Sequence, residues 1–163
     1  MGRTLAVTSY AQAAFRLWAV NGRIPSEGLR EILRARAIAS ASPPEIGGRG
    51  MSRPTEQALV RADEILAENE AALRDIDAVA RTMELFKKND ALTIRCIELV
   101  YLIEPERPTR RGEIRDRVNR AAEELHMSPE SVYRKIRDAV IWFAQERGIS
   151  STEPANLKIF SNF

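Results

Sequence analysis

The sequence predicts an all-α protein, built as a helical bundle. Apolar residues recur at helical spacing through most of the 163 residues. No segment alternates apolar and polar residues over a useful length, so no strand is predicted. Hydrophobic residues make up 44% of the chain and charged residues 29%, which is ordinary for a globular protein and argues against wholesale disorder. The length fits one domain with a real core, or a small domain with an attached module.

Residues 1–39 are predicted to form two basic helices. The first covers residues 9–20 and ends at an Asn-Gly pair, and the second begins at a Pro-Ser pair. The second helix is amphipathic and carries Arg30 and Arg34 on its polar face. These arginines are candidates for contact with a polymerase or a nucleic acid, and a solvated helix face is the alternative.

Residues 40–54 are predicted to be a loop or linker. The stretch contains Pro-Pro, Gly-Gly, a further glycine and a final proline, which together are incompatible with regular structure. Long loops are often functional, and this one carries Arg49 and Arg53, which could contact a nucleic-acid backbone or a polymerase. A plain flexible linker is the simpler interpretation.

Residues 55–104 are predicted to form a long charged helix, through residue 88, followed by a buried one. Thr55 is a good N-cap, and two rows of residues follow at intervals of seven. These rows are Leu59, Leu66, Leu73 and Ala80, and Ala62, Asn69, Ile76 and Met83. The rows either face a second copy of the chain or pack within their own domain. The apolar stretch at residues 92–103, which contains Cys96, is predicted to be the most buried helix.

The net charge of +2 conceals a marked asymmetry along the chain. Residues 1–53 carry five more basic than acidic residues, residues 54–106 carry six more acidic than basic ones, and residues 107–147 carry three more basic ones. Basic flanks around an acidic middle indicate a negatively charged partner for the flanks. Of the 25 basic residues 21 are arginine, which suits phosphate recognition, although a GC-rich genome produces the same bias.

Several classes of protein are excluded by composition. A single cysteine and a single histidine provide neither an internal disulfide nor a zinc or iron–sulfur site. Neither a phosphate-binding glycine loop nor a GxSxG nucleophile motif is present. No 18-residue apolar run and no signal peptide are found. We therefore expect a cytoplasmic protein with no cofactor, no metal, no membrane partner and no enzymatic activity.

Residues 109–148 are predicted to form a helix-turn-helix DNA-binding module. The small Ala122 lets two helices approach, Met127 fills the gap at the turn, and Ser128 caps the second helix, which ends at Gly148. His126 occupies a turn position where glycine is frequent, which predicts a left-handed backbone there. This geometry turns the outer face of the second helix outward, where it fits a major groove.

The residues predicted to contact DNA lie on that face and near the start of the first helix. On and beside the second helix they are Ser128, Glu130, Ser131, Tyr133, Arg134 and Arg137, and before and within the first helix they are Arg110, Arg111 and Arg115. Arginine can bind a phosphate or a guanine edge through two parallel hydrogen bonds, and the hydroxyl groups supply shorter polar contacts. An inert structural helix pair is the alternative.

The order of these segments resembles the short Q-type late antitermination proteins of lambdoid phages and related phage late-transcription regulators. The resemblance rests on the aromatic first helix FRLWAV, the Pro/Gly loop, the apolar IELVYLIE and the motif HMSPESVYRKIRDAVIWFAQ. It spans roughly residues 10–148, and its last fifty positions are specific. The chain departs from the family in the long charged helix at residues 55–88 and in the segment PERPTRRG. The zinc-binding version of the family is excluded, because its cysteines are absent.

The resemblance implies a helix-turn-helix similar to region 4 of a sigma factor. It also implies a protein that binds a DNA element at a late promoter in the cytoplasm of a bacterial host. There such proteins engage host RNA polymerase, with its sigma factor and nascent RNA, and convert it to a form that reads through terminators. On this basis we expect the basic N-terminal half and its loop to face polymerase or the RNA exit path.

Three other functions fit the sequence. They are a DNA-binding activator of initiation, the small subunit of a phage DNA-packaging machine, and a purely helical interaction module. A homodimer, or two copies on a repeated DNA site, is compatible with the heptad rows, and so is a monomer. The tail at residues 149–163 carries several apolar side chains, which either pack back on the domain or meet a partner.

Overall fold

A computed structural model describes residues 2–41 and 55–149, and confirms the all-α prediction for this part of the chain, which contains seven helices and no strand. The helices are α1 (Gly2–Val20), α2 (Ser26–Ala41), α3 (Glu56–Glu68), α4 (Glu70–Asn89), α5 (Ala91–Val100), α6 (Glu113–Glu124) and α7 (Pro129–Arg147). Most of the predicted loop, with Arg49 and Arg53, lies outside the described residues, as does the tail from residue 150.

Three helices begin at a side-chain N-cap, and two are followed by a glycine in the left-handed conformation. The side chains of Thr55, Asp90 and Ser128 each accept a hydrogen bond from the backbone N–H three residues later, and so open α3, α5 and α7. Gly22 follows α1 with a φ of 80°, and Gly148 ends α7 with a φ of 70°, in the left-handed region that glycine adopts without strain. The helix predicted at residues 9–20 is longer than expected and starts at residue 2.

The long helix predicted from residue 55 to residue 88 is divided at Asn69, so the prediction of one continuous helix is wrong. The side-chain amide of Asn69 donates to the carbonyl of Ile65 (2.8 Å), and its backbone N–H is shared between the carbonyls of Ile65 and Leu66. An asparagine side chain that binds its own backbone competes with helical hydrogen bonds, which explains the break. The helix α3 packs against α2, and α4 packs against α1 and α7. The helices that carry the two heptad rows therefore pack within their own domain.

The core lies where α1, α4, α5, α6 and α7 meet. Phe15 and Phe143 are completely buried, and their ring centroids are 5.9 Å apart. From α5 the core receives Cys96, Ile97 and Val100, each with no exposed surface, as the apolar stretch at residues 92–103 predicts. Burial of a large apolar side chain contributes about 1.5–3 kcal/mol, so these contacts hold α7 firmly against the rest of the domain. No helix among the described residues is both long and apolar enough to cross a membrane.

Candidate nucleic-acid interface

The helices α6 and α7 are joined by a four-residue turn, and its local geometry follows the sequence. Ala122 is buried, and its carbonyl accepts the backbone N–H of Met127 at 3.0 Å, while the Met127 side chain packs against the core. His126 has a φ of 52°, which confirms the predicted left-handed backbone at this position. Ser128 accepts from the backbone N–H of Ser131 and so starts α7 immediately after the turn.

One face of α7 is buried and the opposite face is open. Val132 and Ile136 are buried, and the buried face continues through Ala139, Val140 and Phe143. Because successive residues of a helix are rotated by about 100°, Arg134 and Arg137 lie within about 60° of each other. Both side chains are exposed, and Glu130 lies on the same outer face one turn before Arg134. The structure therefore presents two arginines side by side to solvent.

The predicted hydroxyl contacts differ in how available they are. Tyr133 is 42% exposed at one edge of the outer face. The hydroxyl of Ser128 donates to that of Ser131 (3.1 Å) while it also accepts the capping N–H, and Ser131 is half-buried. Both serine side chains thus serve the start of α7, and Tyr133 is the more accessible of the three hydroxyl groups.

The four basic residues of α7 fall into two pairs. The ammonium of Lys135 lies 2.6 Å from the Asp90 carboxylate, and the guanidinium of Arg147 donates to Asp75 at 2.5 Å. Arg134 and Arg137, by contrast, form no ion pair with any residue that the structure describes. Lys135 and Arg147 thus hold α7 against α4 and its C-cap residue. The charges of Arg134 and Arg137 are available to solvent or to a ligand.

The arginines before and within α6 are likewise divided into ion-paired and unpaired residues. Arg110, Arg111 and Arg115 are exposed and, among the described residues, have no carboxylate within ion-pair distance. Gly112, which precedes α6 with a φ of 83°, turns the chain between them. The structure thus provides a second group of free arginines close to the start of α6.

This second group is held in place by residues that the sequence reasoning missed. Glu113 accepts hydrogen bonds from the guanidinium groups of Arg107 and Arg117 and from the backbone N–H of Arg110. The hydrogen bonds from Arg107, Arg110 and Arg117 lower the pKa of Glu113 to about 2. The four-residue spacing of Glu113 and Arg117 was the available signal, since such pairs meet on a helix surface.

The segment that precedes α6 is also bound to α1. The guanidinium of Arg16 donates to the carbonyls of Pro105 (3.0 Å) and Arg107 (2.7 Å). The side-chain amide of Gln12 donates to the Thr109 hydroxyl at 3.0 Å. The Pro- and Arg-rich interruption is therefore a fixed part of the domain up to Thr109, and this arrangement positions the free arginines that follow.

The candidate contacts on α2 are engaged elsewhere in the domain. Both terminal nitrogens of Arg30 donate to Glu70, at 2.8 and 3.1 Å, and Arg34 lies 3.9 Å from Asp63. Hydrogen bonds from Arg30 and Arg74 lower the pKa of Glu70 to about 2. Part of the N-terminal basic charge is thus balanced by the acidic middle segment and does not require an external partner.

The described part of the chain offers no metal-binding cluster and no exposed thiol. Within residues 2–41 and 55–149, no group of three or more histidine, cysteine or acidic side chains could hold a metal ion. Cys96 is buried, and burial raises the pKa of its thiol. No protein-family model, curated protein or solved structure matches the chain.

Proposed function

We propose that the protein is a DNA-binding transcription regulator and that α6 and α7 form its helix-turn-helix, of the type found in sigma region 4. The observation that carries this proposal is the pair Arg134 and Arg137 on the outer face of α7. They are exposed and free of ion pairs with the described residues, whereas the other two basic residues of the same helix are bound to carboxylates. Two adjacent, unpaired arginines on the outer face of this helix are suited to bind phosphates or guanine edges.

The chemistry of each side chain gives it a role at the DNA. A helix is about 10–12 Å across with its side chains, and the major groove is about 12 Å wide, so the outer face of α7 fits between the two strands. Arg134 and Arg137 would bind guanine edges or phosphates through paired hydrogen bonds, and Glu130 would accept from a cytosine amino group. Tyr133 would bind a phosphate at the edge of the groove.

The arginines near α6 would contact the DNA backbone. Arg110, Arg111 and Arg115 are exposed beside the start of the first helix of the motif. In helix-turn-helix proteins the first helix crosses the backbone while the second one reads bases. Such contacts raise affinity for any duplex and set the register of α7, but they do not discriminate sequence.

We further propose that this regulator acts in the cytoplasm of a bacterial host as a Q-type late antiterminator. Its support is the resemblance in the order of segments and in the motif at residues 126–145. In this scheme α7 holds the DNA, and the loop with Arg49 and Arg53 contacts host RNA polymerase, its sigma factor or the nascent RNA. The ion pairs of Arg30 and Arg34 make these two residues weaker candidates for that contact.

DNA binding is tested with the double variant Arg134→Ala/Arg137→Ala. Each arginine is expected to contribute at least about 1 kcal/mol, so the double variant should bind a duplex at least about 30-fold more weakly in a fluorescence anisotropy titration. Arg36→Ala is the matched control, because Arg36 is also exposed and unpaired within the described chain but lies on α2, which does not pack against α7. Equal affinities of wild type and double variant would refute the assignment of α7.

Antitermination is tested by transcription with purified host polymerase on a template that carries a downstream terminator. The proposal predicts more readthrough at an unchanged rate of initiation. A rise in initiation with unchanged readthrough would identify an ordinary activator, and a large ring on sizing would identify a packaging subunit. Failure of the wild-type chain to bind any duplex would leave a helical interaction module.

A further inference from the structure

The helices α4 and α7 run antiparallel and are joined along their length by charged pairs. Asp75 near the start of α4 meets Arg147 at the end of α7, and Arg81 lies 3.6 Å from Glu146. Just beyond the end of α4, Asp90 meets Lys135 in the first turns of α7 at 2.6 Å. The last turn of α4 therefore lies beside the part of α7 that carries the outward arginines.

That last turn contains two exposed lysines. Lys87 and Lys88 form no ion pair with any described residue, although the exposed carboxylate of Glu84 lies one turn before them. Lys88 follows Arg81 by seven residues, which is two helical turns, so both lie on the same side of α4, from which Arg81 reaches Glu146 of α7. Lys87 is rotated about 100° from Lys88, toward the side away from α7.

Lys88 lies close to one edge of the outer face of α7. On α7, Lys135 and Tyr133 are about 160° apart, with Arg134 between them. Lys135 contacts Asp90, at the end of α4. Tyr101 directly follows α5, which packs against both α6 and α7. Tyr101 begins the segment that leads to Arg110 and Arg111 before α6.

We propose that Lys88 is a further phosphate-binding residue, which contacts the DNA backbone at the edge of the major groove beside Lys135. The inference rests on the proposed function, since it assumes that α7 enters the groove. A major groove about 12 Å wide has a phosphate backbone at each edge. The exposed Asp138 on the neighbouring face of α7 forms no ion pair with Lys88, so the lysine charge is available to a phosphate.

The test is the salt dependence of duplex affinity for Lys88→Ala and Lys87→Ala. Loss of one phosphate contact lowers the slope of log K against log salt by about 0.9, which corresponds to a roughly 8-fold loss of affinity at about 0.1 M salt. We expect this loss for Lys88→Ala on every duplex sequence, with discrimination between sequences unchanged. Lys87→Ala should keep the wild-type slope, and Lys88→Arg should keep most of it.

The two lysines are close controls for each other. Both are exposed in the last turn of α4, where positive charge stabilises the negative end of the helix dipole. A purely stabilising role therefore predicts equal shifts in the thermal midpoint and equal affinities for the two alanine variants. A phosphate contact made by Lys88 alone instead predicts a smaller salt slope for Lys88→Ala than for Lys87→Ala.

Three results would overturn the inference. A wild-type slope for Lys88→Ala would do so, and so would an equal loss for Lys87→Ala, which would indicate a general effect of charge. If Arg134→Ala/Arg137→Ala weakens binding while Lys88→Ala does not, this inference fails and the proposed function stands. If the wild-type chain binds no duplex, both fail together.

Discussion

Removal of the small, buried Asp75 side chain is expected to lower the free energy of unfolding substantially. Its side chain is 2% exposed and accepts hydrogen bonds from the Tyr10 hydroxyl at 2.6 Å and from the Arg147 guanidinium at 2.5 Å. Burial raises the pKa of the Asp75 carboxyl, while hydrogen bonds from both partners oppose that effect. The carboxylate thereby joins α1 and α4 to the end of α7.

The expected loss of stability depends on which charged side chain keeps its place in the fold without its partner. Breaking a buried ion pair by removing one partner costs about 3–5 kcal/mol, because the other charge stays in a poor solvent. Asp75→Ala should fall at the lower end, about 3 kcal/mol, since the Arg147 side chain keeps 22% of its surface exposed and can reach water. Arg147→Ala should cost at least as much, because Asp75 has no such access.

The assay is urea unfolding followed by far-ultraviolet circular dichroism. With a slope of about 2 kcal/mol per molar urea, a loss of 3 kcal/mol moves the midpoint by roughly 1.5 M. In the double variant Asp75→Ala/Arg147→Ala no charge is stranded, so it should cost about 2 kcal/mol less than the sum of the singles. Additive losses, or a single variant that loses under about 1 kcal/mol, would refute this account of the network.

Two further predictions concern the turn and the start of α6. His126→Gly should stabilise the protein by about 0.5 kcal/mol, read as a higher thermal midpoint, because glycine adopts the left-handed φ of 52° without steric cost; a lower midpoint would contradict this. The pKa of Glu113 is lowered from its ordinary value near 4.5 to about 2, so its contribution to stability is complete above pH 4.5 and is lost as the pH falls toward 2. Glu113→Gln should therefore show a shallower loss of stability across that range than wild type, and identical acid profiles would exclude this role.

The features that the sequence predicted correctly depend on nearby residues. Thr55 and Ser128 act on backbone groups three residues away, so a cap is visible in a short stretch of sequence. The left-handed His126 and the terminal Gly148 likewise follow from the local turn. The open face of α7 was predicted because burial of Val132 and Ile136 determines which side of a helix remains outside.

The features that were missed depend on distant residues or on a local competition. Arg30 and Glu70 are forty positions apart, and Lys135 and Asp90 are forty-five apart, so neither pairing is visible as a sequence pattern. The N-terminal charge excess therefore indicated an external partner, although part of it is neutralised within the domain. Asn69 fits the heptad rows by spacing, but its side chain binds the preceding carbonyl and ends α3.

The claim that the outer face of α7 binds DNA is tested most directly by amide chemical shifts of the labelled full-length chain during titration with a random-sequence duplex. The largest changes are expected at residues 128–138, smaller ones at residues 110–115 and at Lys88, and none in α2 and α3. Changes confined to α2 and α3, or no changes at salt concentrations where binding is measured, would contradict it.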